Sequence, residues 1–255
     1  MLILASPNVG ALAGFTDDFD STLNARYSQT SGTWTVTGGD ASTATAAASY
    51  PLLSFDANTQ QVTVKSEGGT TNVFGWGVAF WVVDSNNWWA AVTDREEFQT
   101  QTGTITVCNA CGDGGVSQGL PSCNCVYCSC ADCPSNPSCG QTISAGSTTQ
   151  AVFRTDYRYV IRLLKRESGT VSTVASATIS EGDIGSTLTI AYVQAVMNSS
   201  GQITVTGQMS TGGTVATITN TPVTPTKSRR HGIIIVPKTT GTQASTIEKL
   251  IYSPA

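Results

Sequence analysis

The 255-residue sequence predicts an all-β protein, a two-layer sandwich of antiparallel sheets, on three observations. Apolar and polar residues alternate with period two from end to end, and no segment keeps a helical period for three turns. Clusters of Gly, Asn, Ser and Pro interrupt the alternation at short intervals. Thirdly, hydrophobic residues make up 40% and charged residues only 12%, with Thr and Ser standing where Lys and Glu usually do. A chain of this length buries a core without covalent help. The net charge is -4 and Lys plus Arg number 13, so there is no basic field for nucleic acid, and DNA or RNA binding is excluded.

The opening "MLILASPNVGALAG" is apolar, lacks the basic n-region of a signal peptide and is too short to cross a bilayer. Residues 1–14 are therefore expected to form an arm that packs on the domain or on a neighbouring subunit. No other apolar run reaches membrane-spanning length, so no membrane span is expected. "GTWTVTGG" places Trp34 and Val36 on one face of a strand, and "QQVTVKSEGG" ends in a Gly turn after Val62 and Val64. "FGWGVAFWVV" puts Phe74, Trp76, Val78, Phe80 and Val82 on one side and Gly75, Gly77, Ala79 and Trp81 on the other. Both sides are free of charge, which predicts a central strand covered on both faces. "DYRYVIRLLKRESGT" sets Tyr157, Tyr159, Ile161 and Leu163 on one face, points Arg158 and Arg162 away and turns at residues 167–169. "STLTIAYVQAV" and "QITVTGQMS" form a hairpin through residues 198–201, since Asn and Gly tolerate positive φ. "HGIIIVPK" and "STIEKLIYS" close the fold.

Between the two runs of strands lie all eight cysteines: Cys108, Cys111, Cys123, Cys125, Cys128, Cys130, Cys133 and Cys139. Residues 108–140 read as a Cys-rich insertion into a single domain spanning residues 15–255. Paired C-x2-C knuckles suit a tetrahedral zinc site or an iron-sulfur site, whereas C-x-C spacing with Pro, Asn, Ser and Gly between suits a disulfide-dense loop. The sequence leaves both open, and in both the role is structural, because so apolar-poor a loop cannot offset its conformational entropy unaided. Redox catalysis is disfavoured, since a C-x2-C of that kind opens a helix in a βαβ unit and nothing here resembles one.

"TDDFDS", "GTWTVTGGDASTATA", "GWGVAFWVVDSNNWWAAVTD", "RRHGIII" and "STIEKLIY" follow one another in an order that resembles the concanavalin A-like, laminin G-like jelly roll, over nearly all of residues 15–252 outside the insertion. The resemblance implies that Asp84, Asn87, Trp88 and Trp89 occupy a core strand running into a rim loop. A Cys-rich loop and a Thr/Ser-rich, charge-poor composition look like those of structural proteins of tailed bacteriophage particles. That likeness implies a non-enzymatic virion protein, assembled in the host cytoplasm and then extracellular. It would serve in capsid decoration or in the tail, baseplate or fibres, with other virion proteins and copies of itself as partners.

The alternative is a lectin-like adhesin that binds a host surface glycan at Asp84, Asn87, Trp88 and Trp89, because sugar sites use exposed aromatic faces beside Asp and Asn. Against it stands the reading of Trp88 and Trp89 as strand residues, one buried and one packed under the arm or a neighbour. Glycoside hydrolases of this fold carry acids alternating along one strand, as E-x-D-x-E. No such run exists here; Asp94, Glu96 and Glu97 come nearest, in "TDREEFQT", and are expected in a solvated turn. His231, the lone histidine, is expected at the rim before the penultimate strand. A Ca2+ site would draw on Asp17, Asp18, Asp20 or Asp84.

Overall fold

The structure, a computed structural model, describes residues 12–20, 22–45, 50–68, 74–108, 124–126, 142–144, 147–182, 190–210, 215–221, 228–237 and 243–254. Among the described residues there are eighteen strands and no helix. Within the first 67 residues lie β1 (Phe15–Asp17), β2 (Ser28–Ser31), β3 (Trp34–Thr37), β4 (Asp40–Thr45), β5 (Leu52–Asp56) and β6 (Val62–Glu67). The middle of the chain forms β7 (Phe74–Asp84), β8 (Asn87–Cys108), β9 (Asn124–Val126), β10 (Thr142–Ser144), β11 (Ser147–Glu167) and β12 (Thr170–Gly182). The remainder forms β13 (Ile190–Met197), β14 (Ile203–Met209), β15 (Ala216–Asn220), β16 (Arg230–Pro237), β17 (Gln243–Ile247) and β18 (Lys249–Pro254).

The chain divides into two compact units, Met1–Glu97 with Tyr157–Ala255, and Phe98–Asp156. The first holds a six-stranded sheet in the order β1-β18-β6-β13-β14-β15, a seven-stranded sheet in the order β12-β11-β8-β7-β16-β5-β2, and a small sheet β17-β4-β3. Between the two large sheets sits the main core, which includes Trp34, Phe55, Val64, Trp76, Val78, Phe80, Trp89, Ile161, Val205, Ile233 and Tyr252. A second cluster, with Leu52, Ala79, Val82, Trp88, Ala90, Val92, Leu164 and Ile234, is built from the alternate residues of the same strands and so covers the opposite face of the seven-stranded sheet. Two buried faces explain why the central strands read as charge-free on both sides.

The second unit contains the outer parts of β8 and β11 and the hairpin β9-β10, in which Cys125 pairs with Ile143. Apart from the backbone positions of Cys108 and Cys125, the cysteine cluster lies outside the described residues. So do residues 1–11 of the arm; of its remainder, Leu12 donates its amide to the Ala57 carbonyl at 3.0 Å and accepts the Tyr252 hydroxyl at 3.3 Å.

Local chemistry sets the turns. Ser168 and Gly169 both have positive φ, 49° and 85°, as a two-residue hairpin turn between β11 and β12 requires. Asn198 closes the β13-β14 hairpin by accepting the amides of Ser200 at 3.1 Å and Gln202 at 3.0 Å on its side-chain oxygen.

Strict alternation along β7 fails at Trp81, whose φ of 50° accompanies a register shift between Phe80 and Asp84. Trp81 therefore joins the main core beside Phe80, its Nε1 donating to the Gln60 carbonyl at 3.0 Å, while Val82 passes to the opposite face. One residue of left-handed backbone reverses the pattern after it. The "STIEKLIYS" run also serves two sheets, since it breaks at Glu248 into β17 and β18.

His231 is not a rim residue. It pairs with Phe55 across β16 and β5, is fully buried, and its Nε2 donates to the Thr59 carbonyl at 3.0 Å. That bond fixes the neutral tautomer, because a carbonyl can only accept. Desolvation pushes its pKa down to about 4, below the ordinary value of 6.5. The unfolded chain therefore binds a proton that the folded one refuses. Stability is full above about pH 6.5 and falls as pH drops towards 4, by about 3 kcal/mol from this group. Urea titrations at stepped pH should show that slope, and His231→Gln should flatten it relative to the parent.

Candidate functional site

Asp94 and Glu96 are two residues apart on β8 and so point to the same side, the outer face of the seven-stranded sheet. Arg158 and Arg162, on the neighbouring β11, point to that side as well, as their spacing predicts. Arg162 bridges both acids, with Nη1 3.0 Å from Asp94 Oδ2 and Nη2 on Glu96 Oε1. Arg158 adds a longer contact of 3.7 Å to Glu96. On the opposite side of β8, Arg95 pairs with Glu97 at 3.0 Å and its guanidinium lies 4.7 Å from the centre of the Tyr157 ring.

The "TDREEFQT" segment is thus strand and not a solvated turn, and Asp94 and Arg95 are only 5% and 7% exposed. The physical reason is pairing across the sheet. Arginines on β11 neutralise the acids in place, which lets a charged stretch occupy a strand interior.

Beside the Asp94-Arg162-Glu96 cluster the surface sinks into a recess of about 680 Å3, walled on its apolar side by Val92, Leu164, Val236 and Pro237. A fixed planar guanidinium between two carboxylates, next to aliphatic surface, offers donors and acceptors in set directions. The sequence set Asp94, Glu96 and Glu97 against a three-acid run and left them in a turn; the i, i+2 relation of Asp94 and Glu96, matched by Arg162 on the neighbouring strand, is the signal that reveals the site.

The "DSNNWW" segment forms a clasp between two turns. Asp84 accepts the Asn86 amide at 2.7 Å and the Asn87 side-chain amide at 3.0 Å on Oδ1. The Asn86 backbone amide bond, first among the causes, holds the Asp84 carboxyl below the usual carboxylate range. Asn87 Oδ1 accepts the Ser168 amide at 3.0 Å, the Asn86 carbonyl accepts the Gly169 amide at 3.1 Å, and Arg166 donates to the Ser85 carbonyl at 2.9 Å. Trp88 and Trp89 are 1% and 4% exposed and belong to opposite clusters, Trp88 beside Tyr50 and Trp89 in the main core. Neither indole offers a face to solvent, so the aromatic platform of a sugar site is absent at these two positions. Adjacent strand residues face opposite ways, and here both faces are covered.

The acids near the start are engaged by protein groups. Asp17 accepts the Tyr27 hydroxyl at 2.9 Å and the Phe19 amide at 3.0 Å, and Asp18 pairs with Lys249 at 2.9 Å. Burial, with Asp17 adding to it, raises the Tyr27 pKa, and the hydrogen bond to Asp18 raises that of Lys249. Among the described residues no group of three or more His, Cys, Asp or Glu is arranged to hold a metal ion, and no helix is long and apolar enough to cross a membrane.

Replacing Arg162 with Ala removes one cation from two acids, one of them nearly buried. We expect a loss of about 2 kcal/mol in urea unfolding, compared with less than about 0.5 kcal/mol for Lys165→Ala, whose pair with Glu167 is exposed. Equal losses would show that the Arg162 network is no more than surface charge.

No family model matches the chain, and no curated protein matches it. Among solved structures, the CBM2 module of Lactobacillus casei BL23 phage J-1 evolved Dit is similar to it with a TM-score of 0.39 at 8% sequence identity, over 94% of this chain and 96% of that one.

Proposed function

We propose that the chain is a non-catalytic structural domain of a tailed-phage particle, a concanavalin A-like jelly roll that works by protein-protein contact. The reading includes the Cys-rich insertion as a covalently or metal-stabilised contact element, and places the protein in capsid decoration or in the tail, baseplate or fibres. It would assemble in the host cytoplasm and act outside the cell.

The observation that carries the reading is the outer face of β13, β14 and β15. Its outward residues include Gln194, Thr204, Thr206, Thr217 and Thr219, without one charged side chain, in a chain of which only 12% is charged. Solvent-facing surfaces are ordinarily rich in Lys, Glu, Asp and Arg, and the cores of interfaces are depleted of charge. The two acids of the recess support a non-catalytic role as well. They stand on one strand and share one guanidinium, instead of flanking a gap as the acids of a glycosidase do. Mass spectrometry of purified particles, with immunogold labelling by antibodies to the folded domain, tests the proposal. Labelling at a fixed place on the particle is expected; absence of the chain from particles overturns it.

A second reading, glycan binding, is favoured by one observation: the recess pairs oriented polar groups with an aliphatic wall, as sites for hydroxylated ligands do. A glycan array with wild type and Arg162→Lys separates the two readings. Wild-type binding that the substitution weakens would support the glycan site, and no binding by wild type would remove it.

A further inference from the structure

The four outer strands of the two large sheets differ in how they are protected. An outer strand exposes a row of unpaired backbone groups, and proteins blunt such edges by shortness, charge or bulges. At the edge of the six-stranded sheet, β1 is three residues long, ends in Asp17 and adjoins the Asp18-Lys249 pair. In the seven-stranded sheet, β2 is four residues long with a register shift between Gln29 and Ser31. Its other edge, β12, carries two register shifts in its pairing with β11. β15 has none of these devices. Its five residues, Ala-Thr-Ile-Thr-Asn, pair with β14 without a shift, and among the described residues nothing pairs with its other side.

Two further facts concern the same rim. Residues 184–226 contain no charged side chain, so the strand and its sequence neighbours on both sides are neutral. β12 of the opposite sheet packs over β14 and β15, and Val174 on β12 and Val215 beside β15 are 38% and 42% exposed, two of the few large apolar side chains that face solvent among the described residues.

We propose that two copies of the chain join along β15, antiparallel across a two-fold axis, so that their six-stranded sheets become one continuous sheet. A two-fold through the middle of the strand sets Thr217 opposite Thr219 and Ile218 opposite its own counterpart, so a charge on the strand would face the same charge a few residues away, and neutrality favours pairing. Ala216 to Asn220 meets that condition: Thr217 and Thr219 bring hydroxyls to the seam, and Val174 and Val215 supply apolar surface at its margin. The inference rests on the reading of the chain as an assembly domain and names the surface and the partner, a second copy.

Analytical ultracentrifugation of the full chain over a range of concentrations tests it. Wild type is expected to dimerise, and Thr217→Lys with Thr219→Lys, both exposed positions, should raise the dimer dissociation constant at least about tenfold, with the melting temperature unchanged when both proteins are melted at concentrations where they are monomeric. Val215→Asp, which leaves the strand itself intact, should shift it in the same direction. Thr173→Lys, on the bulged edge β12, should leave dimerisation as in wild type. A wild type that stays monomeric, a dimer indifferent to the β15 substitutions, or equal loss from Thr173→Lys each overturns the proposal. Presence of the chain in particles with a monomeric wild type removes only the β15 seam. A dimer in solution with the chain absent from particles removes only the particle assignment.

Discussion

Gly232→Ala is expected to cost the protein at least about 3 kcal/mol, enough to abolish the native fold if the domain is of ordinary stability. A Cβ at Gly232 would stand 1.9 Å from the Leu53 carbonyl oxygen and 2.8 Å from the Ser54 Cα, both backbone atoms of the paired strand β5. Gly77 on β7 meets the same obstacle on its other neighbour, with 2.0 Å to the Ala91 carbonyl oxygen of β8. Backbone cannot swing aside as a side-chain end can, so the strands must separate or the substitution is refused. The two strands lie side by side at the centre of the seven-stranded sheet, where separation also breaks the clusters on both faces. Gly103→Ala serves as the contrast, since a Cβ there meets nothing within 4 Å, and it is expected to change stability by less than about 1 kcal/mol. Circular dichroism melts of the three variants decide it; near-native Gly77→Ala and Gly232→Ala proteins would mean that the sheet yields more easily than close packing allows.

Trp88→Ala should destabilise the domain by about 3 to 5 kcal/mol, the range for emptying a buried indole site. Trp88 anchors the cluster on the outer face of the seven-stranded sheet, meets the Tyr50 ring at a tilt with centres 5.6 Å apart, and donates Nε1 to the Ser85 carbonyl at 3.2 Å. Its loss removes the apolar packing and loosens the clasp in which Asp84, Asn87 and Arg166 tie the β7-β8 turn to the β11-β12 turn. A residue whose only work was to stack on a sugar could be removed with little effect on unfolding. Unfolding at nearly the parent denaturant midpoint would therefore contradict its burial, and would bring the indole back as a ligand surface.

The clasp shows where sequence patterns mislead. Asp, Asn and paired Trp in "DSNNWW" match both a sugar site and a turn that caps itself, because the same side-chain amides and carboxylates bond a ligand hydroxyl or a backbone amide. Which they do depends on what the rest of the chain brings near, and here residues 166–169, some eighty positions on, supply the partners. His231 misled in the same way: expected at a rim, it lies within β16, paired with Phe55 and buried.

Much of the fold was readable along the chain. Period two gave the strands, the face of Tyr157, Tyr159, Ile161 and Leu163 and the opposite pointing of Arg158 and Arg162 appear as spaced, and the hairpin at residues 198–201 closes where Asn and Gly predicted. These features are local, set by the alternation of side chains and by the few residues that accept positive φ. The ionic recess was not readable in that way. Asp94 and Glu96 meet Arg162 only because β8 and β11 are neighbours in the sheet, 66 residues apart in sequence for the Glu96 contact. That nothing among the described residues pairs with the outer side of β15 likewise shows only once the strand order is known. Over most of the described strands sequence alone determined which residues are extended and which faces are apolar, since both follow from neighbours a few residues away; residues 93–100 and the faces after Trp81 are the exceptions. Tertiary structure decided which strands lie side by side, and with that which acids find a cation and which aromatics are covered, because these are contacts between distant parts of the chain that no local period encodes.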